Sequence, residues 1–268
     1  SRFGWHYGFA AAGVGMLLGL IQYRLTSASL GNAGLLPAHL REEGKADGAP
    51  KYGWLMICGG LSLVAVIFAL SLTGMITINA LSLARVSTYV IASLAVAFFA
   101  YIYMFGRLDS VEKKRVGVII VLVICAAVFW SGFEQTGSSF SLFAERYTDR
   151  ISFGFEIPAG WFQSINALFI LICSPFIAAL WVNLARRNLN PSIPIKFALG
   201  LIQLGLGFLV MVFAAKLVVG GDNVLPTWLI LTYLLHTTGE LCLSPVGLSA
   251  ICKLAPKRFA SQMMGIWF

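Results

Sequence analysis

The chain has 268 residues, 59% of them hydrophobic and only 11% charged, with a mean hydropathy of +0.85. A soluble domain carries about 25% charged residues, so a chain of this length cannot cover a water-facing surface and its solvent is lipid. The net charge of +8 does not point to nucleic acid: no basic stripe or Arg/aromatic platform accompanies it, and the basic residues cluster at the ends of apolar runs. The five cysteines, Cys58, Cys125, Cys173, Cys242 and Cys252, all fall in apolar runs without a C-x-x-C pair, which excludes a disulfide framework and a thiolate metal site.

A helix needs about 20 apolar residues to cross roughly 30 Å of hydrocarbon. In chain order the candidate spans are 7–23, 54–73, 86–105, 116–135, 159–182, 197–215 and 228–252, with the start of an eighth near Phe259. None shows the apolar/polar alternation of a barrel strand, so the spans are helices. Between the first two lies a polar stretch over 26–51, rich in Gly, Ala and mixed charge, which reads as a linker. Residues 73–83 carry no charge and read as a short turn between two helices. Trp5, Trp54, Trp161, Trp181 and Trp228 stand near span ends, as interfacial anchors do. Gly15 and Gly19 permit close helix packing and carry no functional weight.

With the loops placed on alternating sides, one side receives fourteen of the 19 basic residues, among them Arg24, Lys113, Arg115, Arg186, Lys253 and Arg258. The other receives Arg2, Arg85, Arg146, Arg150 and Lys216. The positive-inside rule makes the first side cytoplasmic and puts Ser1 outside. No initiator Met or signal peptide precedes the first span, and Gly265–Phe268 opens a further apolar segment. The chain is therefore expected to be a piece of a longer polypeptide.

Two of the eleven acidic residues, Glu134 and Glu240, lie within apolar spans. An ionisable group at membrane depth costs at least a few kcal/mol, which makes it a functional hypothesis; the bland alternative is a bond holding two helices together. Glu240 lies roughly 18–20 Å from either end of its span, at mid-membrane. Ser244 shares its face, Pro245 is expected to kink the helix beside it, and His236, one turn earlier, is a minor candidate for proton sharing. Glu134 is roughly 28 Å from Arg115, near the outer face, unless its helix starts earlier, tilts or continues through 137–144. Gln135 follows it and Trp130 lies one turn below. Asn166 is the one amide well inside its run and needs partners there. No nucleophile–base pair or His/Asp metal cluster appears, so an enzyme is not expected.

Several strings resemble the proton-dependent oligopeptide transporter family. They are Ser131-Gly132-Phe133-Glu134-Gln135-Thr136-Gly137-Ser138-Ser139, Trp161-Phe162-Gln163-Ser164-Ile165-Asn166, and Gly239-Glu240-Leu241-Cys242-Leu243-Ser244-Pro245-Val246-Gly247-Leu248-Ser249, with Lys253-Leu254-Ala255-Pro256 and the opening Trp5-His6-Tyr7-Gly8-Phe9. The resemblance implies the major facilitator fold and alternating access between two six-helix bundles. It would make 1–25 the last helix of the N-terminal bundle, 26–53 a cytoplasmic linker, 54–107 an inserted helix pair and 108–268 an incomplete C-terminal bundle. It implies a proton-coupling role for Glu134, pairing of Glu240 with a peptide's amino terminus, and a peptide pocket lined by Asn166, Ser244, Trp130 and Trp267.

The expectation is thus an all-α membrane protein, a major facilitator fragment of about seven complete helices, working in a bacterial inner membrane. Its function would be symport of di- and tripeptides with protons, with no cofactor beyond the proton gradient and with the N-terminal half of the same protein as partner. A same-fold carrier of a non-peptide solute is the first alternative, and a proton-conducting subunit of a membrane complex the second.

Overall fold

The computed structural model describes residues 5–30, 51–74, 79–152, 154–221 and 223–268. The greater part of the expected linker over 26–53 lies outside them, as do Ser1 and part of the expected turn at 73–83. The chain divides into two compact units, Ser1–Arg85 and Val86–Phe268.

In the first unit, α1 spans Trp5–Thr26 and continues into a 3-10 turn, Ser27–Leu30. Helix α2 spans Lys51–Leu72. Asn79 then caps the next helix, its Oδ1 accepting from the Leu81 amide at 2.9 Å, a side-chain answer to one of the orphan donors of a helix start. That helix, α3, spans Ala80–Phe105 and carries the chain into the second unit.

The second unit continues with α4 (Ser110–Phe133), α5 (Ser139–Tyr147), α6 (Trp161–Arg186), α7 (Ile193–Val219), α8 (Thr227–Leu254) and α9 (Ala260–Trp267). A two-stranded hairpin, β1 (Ile151–Ser152) and β2 (Phe155–Glu156), joins α5 to α6. Among the described residues, five stretches are long and apolar enough to cross a membrane: Tyr7–Ser29, Leu81–Phe105, Ser110–Tyr147, Trp161–Arg186 and Ile193–Val219. At 28 residues, about 42 Å, α8 is longer than four of these and is exceeded by Ser110–Tyr147 at 38 residues. Its Thr, His, Glu and Ser residues make it less apolar than the other five, as befits a helix facing protein rather than lipid.

The helices overrun the spans expected from hydropathy. Val116–Gln135 was bounded by its charges, yet α4 begins at Ser110, with Asp109 and Glu112 forming a reciprocal capping box. Arg186, Lys196, Lys216 and Lys253 likewise stand inside helices. Helical hydrogen bonding does not stop at the hydrocarbon boundary, and long basic side chains reach water from within the last turn.

Helix α8 is the hub of the second unit. Leu243 and Ala250 pack with Leu122, Phe129 and Phe133 of α4 and with Phe197 and Leu204 of α7. Ile251 joins Ile102, Val116, Ile119 and Met263. Leu229 and Tyr233 join Phe140 and Ala144 of α5, Phe162 of α6 and Met211 of α7. On α7 the buried residues Phe197, Gly200, Leu204, Gly207, Met211 and Ala214 recur at intervals of three and four, one seam turned toward α8. Within lipid such a seam is held by van der Waals contact, so small residues where backbones meet decide how closely two helices approach. A Cβ on Gly200 would stand 2.9 Å from the Gly239 carbonyl oxygen, and one on Gly239 would stand 2.9 Å from that of Gly200. Backbone cannot yield as a side-chain tip can. Gly200→Ala is therefore expected to lower the Tm of the full-length protein in detergent by several degrees, through an overpacking cost of about 1–3 kcal/mol. Gly205→Ala, which meets nothing within 4 Å, should leave Tm unchanged.

Candidate functional site

The helix carrying Glu134 is broken at that residue. α4 ends at Phe133, Glu134–Gly137 forms a 3-10 turn, and α5 follows from Ser139. The apolar stretch therefore runs from Ser110 to Tyr147, and Glu134 lies 13 residues before its end, roughly 20 Å at helical rise. The break is satisfied from within. Thr136 Oγ1 donates to the Phe133 carbonyl at 2.8 Å, Ser141 Oγ to that of Thr136 at 3.3 Å, and Gln135 Nε2 to that of Ser131 at 3.4 Å. Gln135 Oε1 accepts from the Ser138 and Ser139 hydroxyls at 3.2 and 2.9 Å. The amide of Gln135 is thus spent on its own turn, whereas the Glu134 side chain is exposed. Irregular backbone at membrane depth is tolerated where protein satisfies it or water reaches it.

Pro245, expected to kink the helix of Glu240, lies inside α8, which runs on through it from Thr227 to Leu254. The residues around Pro245 are held by α7 and α9: Gly247 receives the Trp267 ring so closely that a Cβ there would lie 2.2 Å from it. Packing on both sides keeps the helix in register where the proline removes one hydrogen bond.

Glu240 is half-buried, and one of its carboxylate oxygens, Oε2, is buried with no hydrogen-bond partner in the structure. Ser244 Oγ, one turn along the same face, is likewise buried and unpartnered. Ser244 lines an open concavity of ≈ 600 Å³ together with Pro245, Leu248, Trp130, Trp267 and Phe268. Trp130, from α4, is held edge-on to Phe133 with ring centroids 5.1 Å apart. Trp267, from α9, stands edge-on to Phe197 at 6.2 Å. Two aromatic walls with the Ser244 hydroxyl between them, and Glu240 one turn away outside the lining, suit an amphipathic ligand.

Asn166 is placed between helices. Its Oδ1 accepts from Thr237 Oγ1 at 2.5 Å, tying α6 to α8, and Thr237 Oγ1 also lies 2.7 Å from the Tyr233 carbonyl. Thr237 stands three residues before Glu240. It escaped the sequence reading, although the spacing of Thr237, Glu240, Ser244 and Leu248 marks one helical face. His236 is buried. Its Nε2 lies 3.2 Å from the Leu204 carbonyl, so that nitrogen donates and Nδ1 carries the free lone pair, buried without a partner. Phe133, Phe140 and Phe208 surround the ring at 6.2, 5.7 and 5.3 Å, and Gly207 makes room for it. In this position His236 links α8 to α7. Glu134 and His236 do not line the tryptophan concavity, which gathers Trp130, Ser244 and Trp267.

Apolar helices enclosing unpartnered polar atoms define a multi-pass membrane protein. Residues 56–268 match the family described as PTR2: POT family, and the chain belongs to the POT family. It is 40% identical to Peptide transporter YePEPT of Yersinia enterocolitica over 99% of its own length and 52% of the relative's. It is 38% identical to Uncharacterized transporter YclF of Bacillus subtilis over 100% and 52%, and 30% identical to a Di-/tripeptide transporter of Lactococcus lactis over 98% and 53%. A crystal structure of peptide transporter POT in complex with sulfate superposes with a TM-score of 0.76 at 34% identity, covering 99% of this chain and 53% of that one. A POT family transporter in complex with 5-aminolevulinic acid gives 0.75 at 32%, covering 98% and 53%. The fold is that of these transporters. The chain spans about half the length of the curated relatives it matches.

The Asn166–Thr237 contact gives a measurable coupling. In a double-mutant cycle of Asn166→Ala and Thr237→Val in the full-length protein, thermal stability is expected to show an interaction of about 0.6–1.7 kcal/mol. Strict additivity would mean that the contact holds nothing.

Proposed function

We propose that the full-length protein is a proton-coupled symporter of di- and tripeptides in a bacterial inner membrane, working by alternating access. The observation that carries this reading is the pair of buried, unpartnered acceptors on one face of α8, Glu240 Oε2 and Ser244 Oγ, beside a concavity walled by Trp130 and Trp267. A buried polar group without a partner costs about 1–3 kcal/mol, and a ligand ammonium supplies the donors that both lack. The attraction between ammonium and carboxylate is several-fold stronger in a low-dielectric cleft than in water. The tryptophan faces offer cation–π and apolar contact to side chains of varied size, which suits a substrate recognised by its ends.

Glu134 takes the proton. It stands at the break between α4 and α5, where a change in its charge acts on a backbone already interrupted. Its protonation releases a basic partner elsewhere in the full-length protein and lets the two bundles rock. Asn166 holds α6 against α8 beside the substrate face. The residues that hold the peptide's carboxylate are assigned to the part of the protein outside this chain. The orientation follows the basic residues, with Lys113, Arg115, Lys253 and Arg258 in the cytoplasm.

The same amine-recognising site would accept an amino acid such as the 5-aminolevulinic acid bound by a solved relative. Competition by dipeptides separates the two readings. In proteoliposomes, labelled dipeptide uptake should follow an imposed inward proton gradient and stop when that gradient is collapsed. Glu134→Gln should abolish gradient-driven uptake and leave counterflow exchange. Glu240→Gln should weaken peptide binding about tenfold or more, by loss of a charge-assisted bond of roughly 1.5–3 kcal/mol. Uptake indifferent to the gradient would sink the coupling assignment.

A further inference from the structure

At the end of the second unit assigned to the cytoplasm, a second cavity of ≈ 480 Å³ lies between the start of α4 and the α8–α9 turn. Its lining includes Arg115 from α4, Lys253 from the last turn of α8, and Lys257 and Arg258 from the 3-10 turn Lys257–Phe259, with Glu112 as its one acidic residue. Arg258 is fixed. Its Nη2 donates to the Arg107 carbonyl at 2.7 Å and lies 3.3 Å from Glu112 Oε2. Arg107 has a positive φ of 45°, a conformation uncommon outside glycine, and Arg258 holds its carbonyl there. Glu112 is itself fixed by the capping box with Asp109. One wall of the cavity is therefore built before any ligand arrives.

The other cations are free to serve a ligand. Among the described residues, Arg115, Lys253 and Lys257 have no ion-pair partner, and all three side chains are exposed. The cavity carries four cations against one carboxylate. Positive-inside topology accounts for basic residues on this side of the membrane, but not for their convergence from three elements on one concavity. Two other basic residues at this end are engaged singly, Lys196 4.5 Å over the Trp181 ring and Lys113 5.7 Å from that of Tyr103. The rest of the lining is uncharged, Cys252, Ala255 and Pro256, and Val116 and Ile251, the chain neighbours of Arg115 and Cys252, are fully buried. A cationic pocket opening directly above apolar side chains lies at headgroup depth.

We propose that this cavity binds a phosphate group, carried by an anionic phospholipid or by free inorganic phosphate, between Arg115, Lys253 and Lys257 against the fixed guanidinium of Arg258. Lysine ammonium groups act as point charges on phosphate oxygens, and arginine adds directed donors. Occupancy would fasten the start of α4 to the turn after α8, the helices that bear Glu134 and Glu240.

The test uses the full-length protein, delipidated in detergent and titrated with phosphatidylglycerol or phosphatidylcholine under native mass spectrometry. Sodium phosphate is titrated separately by calorimetry. Wild type should retain phosphatidylglycerol selectively. In an Arg115→Gln/Lys253→Gln/Lys257→Gln variant, retention should fall about fivefold for each cation removed, while weak phosphatidylcholine binding stays unchanged. An Arg115→Lys/Lys253→Arg/Lys257→Arg variant should bind as wild type. Should the triple neutral variant fail to give monodisperse protein, Lys253→Gln and Lys257→Gln singly carry the comparison. Phosphate binding lost in the neutral variants, without lipid selectivity, would assign the site to free phosphate. Lipid and phosphate binding both indifferent to the three cations would overturn the proposal.

Discussion

The close approach of α7 and α8 at Gly200 and Gly239 sets the geometry of the second unit. Each glycine's missing side chain is filled by the other's carbonyl, so the two backbones meet directly. Gly239 precedes Glu240, and a helix turns about 100° per residue; the face that packs on α7 thus fixes where the glutamate points. One turn earlier, His236 reaches over Gly207 to the Leu204 carbonyl. Two turns later, Gly247 seats Trp267. Three glycine contacts along one seam position a histidine, a glutamate and a tryptophan. In lipid, where apolar side chains gain little by leaving solvent, such steric fit is the main source of order.

Against that seam, the polar atoms separate into two kinds. Those at the α4–α5 break find their partners within a few residues: Thr136, Gln135 and Ser141 bond the carbonyls that the broken helix frees. Thr237 and Asn166 satisfy each other across two helices. Glu240 Oε2 and Ser244 Oγ, by contrast, are buried with nothing to bond. Trp181 Nε1, Tyr233 OH and His236 Nδ1 are buried without partners too, but only Glu240 and Ser244 stand one turn apart on one face with Ser244 lining the tryptophan concavity. This difference, more than the presence of charge in a membrane, marks the α8 face as the ligand side.

That the described residues are mostly long apolar helices was legible from hydropathy, because length and apolarity are properties of composition. Their ends were not. Lys, Arg and Glu inside the last turn end an apolar run but not a helix, as Ser110 and the Asp109–Glu112 box illustrate at the start of α4. The break at Glu134 was not foreseen either. Proline is the strongest local breaker in a sequence, and Pro245 drew attention to α8. The discontinuity instead follows Phe133, in Glu-Gln-Thr-Gly, whose side chains can replace the helix's own bonds. Whether a helix yields at a given point depends on what its neighbours supply, and that information is tertiary. The roles carried by resemblance, those of Glu134 and Asn166 above all, came from strings of residues and not from depth or spacing.

Glu134 and Glu240 therefore differ in mechanical setting. Glu240 rises from the most tightly packed helix of the unit, whose eleven buried residues touch α4, α5, α6, α7 and α9. A ligand pulling on it acts on the bundle as a rigid body. Glu134 stands on a 3-10 turn with an exposed side chain between two helices that are separately packed, Phe133 against α7 and α8, Phe140 against α6 and α8. A charge change there acts on a joint. The proposed substrate and proton roles would then fall on two mechanically different places, a rigid packed helix for Glu240 and a joint between helices for Glu134.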